Sequence, residues 1–197
     1  MNRKKTIFIV PGYKHTPAQK AYRELAKRLK QEGYAPILVR IPWRRTTISE
    51  NTEIFLKEFK KLKGKQKYIL GFSYGAMIAF LASTKVRVSG LVLCSLSPYF
   101  QEDMKGMHSN SVSTIMKQRL DDFKQLRCGR LAKHVKTKQV LLFYGADESK
   151  SLIRRVESAY KQIKTKEKYL IQIQKVDHDI SDKKYLSTVH HMTSALL

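Results

Sequence analysis

The sequence predicts an α/β fold: one three-layer α/β/α domain spanning 1–197, built on a mostly parallel six-stranded sheet. Three observations predict it. Short apolar runs rich in β-branched residues alternate with stretches of helical period along the chain. The runs are nearly continuous in apolar character, as strands covered on both faces must be. The 197 residues, 42% hydrophobic and 28% charged, supply one well-formed core and are short for two.

The strand candidates in order are Thr6–Val10, Ile37–Ile41, Tyr68–Phe72, Gly90–Ser95, Gln139–Tyr144 and Tyr169–Lys175. Between them, Tyr22, Leu25, Ala26 and Leu29 share one helical stripe, as do Phe55, Phe59 and Leu62. A third stripe joins Leu152, Val156, Ala159, Tyr160 and Ile163, and a fourth Tyr185, Val189, Met192 and Leu196. One stretch breaks the rhythm. Residues 96–138 are too many for a simple crossover; they carry Met104, Met107, His108, the polar run SNSVST and a helical segment around Ile115–Leu126. An insertion of this length is expected to act as a cap or binding loop.

Apolar runs of only a few residues exclude a membrane span and predict a soluble protein. The basic start MNRKK is followed by an apolar stretch that stops at Pro11, which does not fit an export signal, so a cytoplasmic location is expected. Cys94 and Cys128 form neither a C-x-x-C nor a disulfide framework. The 39 Lys and Arg against 16 Asp and Glu give a net charge of +23. The lysines fall mainly on polar helix faces and are not interleaved with aromatic residues, so nucleic acid is not the expected partner.

Chemistry concentrates at Gly71-Phe72-Ser73-Tyr74-Gly75, directly after a predicted strand and before the helical run AMIAFLA. In a parallel sheet, ligands bind beyond the carboxyl ends of the strands, and this serine lies there. A G-x-S-x-G at a strand-to-helix turn is the arrangement of a nucleophile elbow, in which the glycines let strand and helix approach and the turn exposes the serine Oγ. A chance match arises in roughly one chain in fifteen of this length, so the partners decide. A serine hydroxyl needs a base. Of six histidines, only His178 follows immediately on a predicted strand end. The imidazole needs a carboxylate, and Asp147, just beyond the fifth strand, is the expected one; Glu148 is adjacent, and Asp177 and Asp179 flank the histidine. Two backbone N–H groups are expected to hold an oxyanion: that of Tyr74, opening a helix, and that of Tyr13 in the turn PGYKHT after the first strand. Trp43, Arg44, Ser97, Pro98, Tyr99 and the insertion are placed by sequence to shape the binding site, with Lys14 at its mouth.

With these residues in place the chain resembles the α/β-hydrolase superfamily over nearly its whole length. Ser73, Asp147 and His178 stand in that family's order of nucleophile, acid and base, and the six strands match strands three to eight of its sheet, as in a minimal member lacking the first hairpin. Pro11-Gly12 stands where many members have His-Gly. Most members are esterases, lipases, thioesterases or peptidases, so the resemblance implies acyl transfer to water; the leading expectation is a serine hydrolase of carboxylesterase type, cleaving carboxylic esters through an acyl-enzyme on Ser73. Alternatives are an acyl-thioesterase or lysophospholipase acting on anionic substrates, and a non-catalytic binding protein on a hydrolase scaffold. No H-E-x-x-H, P-loop or G-x-G-x-x-G occurs, so neither metal nor organic cofactor is expected. The expected partner is a small ester or thioester.

Overall fold

The structure, a computed structural model, describes residues 5–64, 66–106 and 115–197. Its six strands are β1 (Lys5–Val10), β2 (Tyr34–Leu38), β3 (Lys67–Phe72), β4 (Val88–Cys94), β5 (Thr137–Gly145) and β6 (Glu167–Ile173). They form one sheet in the order β2-β1-β3-β4-β5-β6, and every pairing is parallel. The helices are α1 (Lys20–Gln31), α2 (Ile48–Lys61), α3 (Tyr74–Lys85), α4 (Lys117–Gln125), α5 (Cys128–Ala132), α6 (Lys150–Gln162) and α7 (Lys183–Leu196), with a 3-10 helix at Gln101–Gly106.

The pleat divides the apolar residues between two layers. On β1, Ile7 and Ile9 pack with α1 and α7, whereas Phe8 and Val10 pack with α2, α3 and α6. The central strands are buried on both faces, as their sequences predict. The edges are not: β2 and β6 are largely half-buried or exposed, since each has a neighbour on one side only. Strand β2 also begins earlier than the run Ile37–Ile41 suggests, and takes in Pro36, opposite Ile7. A proline removes one ladder donor, which an edge strand tolerates because one of its rims is unpaired.

Helix α3 is buried from Tyr74 through Ser83, because it lies under the sheet on one side and against α2 on the other. Three of the other helices carry side-chain caps. Thr47 and Glu50 form a reciprocal capping box on α2, Ser149 caps α6, and Asp182 caps α7 through Lys184 and Tyr185 N–H. Leu62 leaves the apolar stripe expected for α2: it is the exposed residue that ends the helix.

Polar contacts of Asp122, Arg119 and Asp103 help to tie the 96–138 insertion to the body. The Asp122 carboxylate accepts from Ile48 and Ser49 N–H at 3.0 and 3.1 Å, at the start of α2. The buried Arg119 donates to the carbonyls of Thr46 and Trp43. Asp103 of the 3-10 helix pairs with Arg155 of α6 through three contacts of 2.6 to 3.1 Å. Met107, His108 and the SNSVST run lie outside the described residues.

Strand order reverses at β1, with β2 to one side and β3 to the other, so the chain leaves β1 and β3 in opposite directions and opens a crevice at their carboxyl ends. The turn 11–15 and the turn at Ser73 stand at that crevice.

Candidate active site

Ser73 has φ 57° and ψ −118°, a conformation that L-residues avoid. Tight packing on both sides holds it there. A Cβ on Gly71 would come within 2.2 Å of the Gly75 carbonyl oxygen, and one on Gly75 within 2.2 Å of the Val10 carbonyl oxygen. Only glycine permits strand β3, helix α3 and the end of β1 to approach this closely. The Ser73 N–H donates to the Cys94 carbonyl at 2.9 Å, and its carbonyl accepts from Ala76 and Met77. The hydroxyl is thereby turned out of the helix: it makes no capping bond.

The Oγ lies 2.9 Å from His178 Nε2 and 3.0 Å from the hydroxyl of Ser97, which is 3% exposed. His178 follows β6 in a loop joined to the loop after β5. Ala146 N–H donates to Ile173, Asp147 N–H donates to Val176, and Gly145 has no room for a Cβ because the Val176 carbonyl lies 2.2 Å from that position. The imidazole stacks on Phe72, ring centres 5.0 Å apart.

The carboxylate at the other imidazole nitrogen is Glu148, not Asp147. Glu148 Oε1 is 2.9 Å from His178 Nδ1, and its side chain is fully buried. Asp147 is exposed. The cause is the turn that ends β5: Glu148 N–H closes back onto the Gly145 carbonyl at 3.2 Å, which puts Ala146 and Asp147 at the outward tip and returns Glu148 to the interior. Asp147 does not cap α6 either, since Ser149 does. Of the carboxylates beside the histidine, Asp177 accepts from His178 N–H and Asp179 from Ser181. Around Glu148 the Cys94 thiol and the Tyr185 hydroxyl are both pushed well up, by burial first and in part by the Glu148 charge. Neither ionises beside it. Among the described residues Glu148 Oε2 has no protein partner.

Tyr74 is the first residue of α3, so its N–H has no acceptor within the helix and points with the helix dipole. Tyr13 faces it, ring centres 5.2 Å apart, from the turn after β1. That turn is set by a small network that the sequence did not reveal. The buried hydroxyl of Tyr22 accepts from Gly12 N–H at 2.9 Å and lies 2.8 Å from His15 Nδ1, while His15 N–H donates to the Gly12 carbonyl. The His15 ring stacks on Phe72, the ring that also carries His178. Burial first, then the neighbouring His178, holds the His15 pKa below its ordinary value.

The other residues singled out by sequence gather around this turn. Trp43 is buried and donates from Nε1 to the His15 carbonyl at 3.2 Å; Tyr99 meets Tyr74 edge to face at 5.0 Å; Lys14 lies 5.3 Å from the Tyr13 ring. A cavity of about 820 Å³ opens beside Tyr13 and His15, lined also by Lys14, Arg40, Ile41, Trp43, Arg44 and Arg45. Among the described residues, no group of three His, Cys, Asp or Glu is placed to hold a metal ion, and no helix is long and apolar enough to cross a membrane.

No family model matches the sequence, and no curated protein matches it. Solved structures do match the fold. Est1E from Butyrivibrio proteoclasticus with ferulic acid bound superposes with a TM-score of 0.82 at 14% identity, over 98% of this chain and 90% of that one. Mouse alpha/beta hydrolase domain-containing protein 10 gives 0.82 at 14% identity, over 100% and 91%. A monoacylglycerol lipase from Paleococcus ferrophilus gives 0.75 at 14%, over 96% and 92%. At such identities the likeness is one of fold.

Proposed function

We propose that this chain, which has the α/β-hydrolase fold, is a serine hydrolase that cleaves carboxylic esters through an acyl-enzyme on Ser73. The observation that carries the proposal is the relay in which Ser73 Oγ, His178 and Glu148 are joined by two contacts of 2.9 Å. With Nδ1–H donating to Glu148, the Nε2 lone pair faces the serine and takes its proton as Oγ attacks the acyl carbon. Glu148 fixes that tautomer and stabilises the imidazolium. The oxyanion is received by the N–H groups of Tyr74 and Tyr13. His178 then returns its proton to the departing alkoxide. A water, deprotonated by the same nitrogen, attacks the acyl-enzyme, and the acid leaves as Ser73 recovers its proton. Ser97, donating to Oγ, holds the nucleophile's rotamer between turnovers.

We assign the whole of 1–197 to one domain and the 96–138 insertion to a cap on it. Tyr99 and Phe123, stacked at 5.1 Å, wall the site against Tyr74, which supports this assignment. The test is turnover of p-nitrophenyl butyrate. Wild-type protein should hydrolyse it, and Ser73→Ala and His178→Gln should each lose at least a thousandfold in kcat, the order of effect such groups carry. Full turnover by Ser73→Ala would end the proposal in favour of a binding protein on this scaffold.

A further inference from the structure

The cavity beside the oxyanion turn has a character that ester hydrolysis alone does not require. Its lining joins the apolar Ile41, Pro42, Trp43 and the ring of Tyr13 to the cations Lys14, Arg40, Arg44 and Arg45, with no carboxylate among the lining residues. In a chain this basic, unpaired surface cations are common, so their number decides little. Convergence decides more. Four cations from two segments of chain line one cavity, and none of them is ion-paired among the described residues.

A fifth cation lies underneath. Arg119 is 4% exposed, and its guanidinium sits 4.5 Å from the centre of the Tyr13 ring, the cavity's wall. Its bonds go to the carbonyls of Trp43 and Thr46, which satisfy donors without neutralising charge. Buried charges are ordinarily paired. The buried Arg155 of this chain is, with Asp103. Arg119 has no carboxylate within ion-pair distance among the described residues; the nearby Asp122 is spent on the N–H groups of Ile48 and Ser49.

We propose that this cavity binds a phosphate group of the substrate, so that the ester or thioester cleaved at Ser73 is a phosphate-bearing one. The inference rests on the hydrolase proposal and narrows its substrate. A phosphate carries close to two negative charges and several acceptor oxygens, and guanidinium groups meet it in bidentate fashion. The apolar lining then takes the carbon skeleton between phosphate and acyl bond. The cavity adjoins the reacting centre, because Tyr13 touches Tyr74 and His15 touches Phe72, the residues on either side of Ser73.

The test separates this inference from the catalytic one by using Ser73→Ala protein for binding and wild type for turnover. Calorimetry on Ser73→Ala compares 1-butyrylglycerol 3-phosphate with 1-butyrylglycerol. The phosphate ester should bind at least about tenfold more tightly, and adding Arg44→Gln with Arg45→Gln should remove about tenfold, the order of one charge-assisted contact. Adding Lys57→Gln with Lys161→Gln, which removes the same charge from distant helix faces, should change binding less than about twofold if the effect is local and unrelated to net charge. Equal binding of the two esters, or equal losses in the two double variants, overturns the inference. Wild-type turnover of the neutral ester alongside either result leaves the hydrolase proposal standing, whereas arginine-dependent binding without turnover of any ester removes that proposal and keeps the anion site. A long-chain acylglycerol phosphate in phosphatidylcholine vesicles, assayed beside the water-soluble ester, distinguishes a lipid headgroup from a free metabolite as the source of the phosphate; preference for either over its neutral counterpart supports the inference, and preference for neither contradicts it.

Discussion

Glu148 and Asp147 are neighbours in sequence and opposites in environment, one buried at the imidazole and the other exposed at the tip of a turn. Glu148→Gln keeps the shape and removes the charge, so His178 loses both its tautomer and its ionic support. In a serine protease triad the equivalent change costs about 10⁴ in kcat, and a loss of that order is expected here, with circular dichroism confirming the fold. Asp147→Asn should stay within about threefold of wild type, because the side chain reaches none of the reacting groups. Collapse of Asp147→Asn with an active Glu148→Gln would reverse the assignment. His15 makes a separate prediction. Its folded pKa lies below its unfolded value, so between the two the unfolded chain binds more protons. Its contribution to stability is full above about pH 6.5 and is lost as pH falls through the folded value. Protonation also turns Nδ1 into a donor that cannot accept from Tyr22. Melting temperatures from pH 7.5 to 5 should fall more steeply for wild type than for His15→Gln; parallel curves would exclude His15 as the cause.

At the scale of elements, the strand-to-helix turn at Ser73 was legible because its signal is local: two glycines flank a serine at a boundary between strand and helix. The carboxylate that meets His178 was not legible to one residue, because the inward direction depends on the Glu148-to-Gly145 hydrogen bond, and alternation along a strand predicts nothing once the strand has turned. The early start of β2 was hidden by Pro36, which counts against a strand unless that strand is known to be an edge. His15 and Tyr22 were invisible as a pair, since one sits in a loop and the other on the stripe of α1 that faces the core. The elbow also carries a stability prediction. Ser73 is held in a conformation costing on the order of 1–3 kcal/mol, which glycine adopts freely. Ser73→Gly should therefore be inactive and, despite the added chain entropy of glycine, at least as stable as Ser73→Ala in urea titration. A clearly less stable Ser73→Gly would mean that the turn is not strained. Gly75→Ala has the opposite sign: its Cβ meets the Val10 carbonyl at 2.2 Å, so α3 must move off β1 and stability must fall.

Over the whole molecule, a net charge of +23 in 197 residues repels itself, and among the described residues a few exposed pairs such as Lys61–Glu58 and Lys124–Asp121 offset it. Exposed pairs each contribute little. Screening should relieve the repulsion more than it weakens those pairs, so the melting temperature should rise between 0.02 and about 0.3 M salt; a fall would mean that paired charges dominate. The fold itself was readable from the alternation of strand and helix, which predicts a mostly parallel sheet; every pairing is in fact parallel. The central claim, however, concerns one oxygen atom. Peptide mass spectrometry after reaction with a fluorophosphonate probe tests it most directly, because the probe reports nucleophilicity without requiring knowledge of the substrate. The label should appear on Ser73, form at wild-type rate in Asp147→Asn, and slow by orders of magnitude in His178→Gln and Glu148→Gln. A label on another serine, or labelling of Ser73 that is indifferent to His178 and Glu148, would contradict the account.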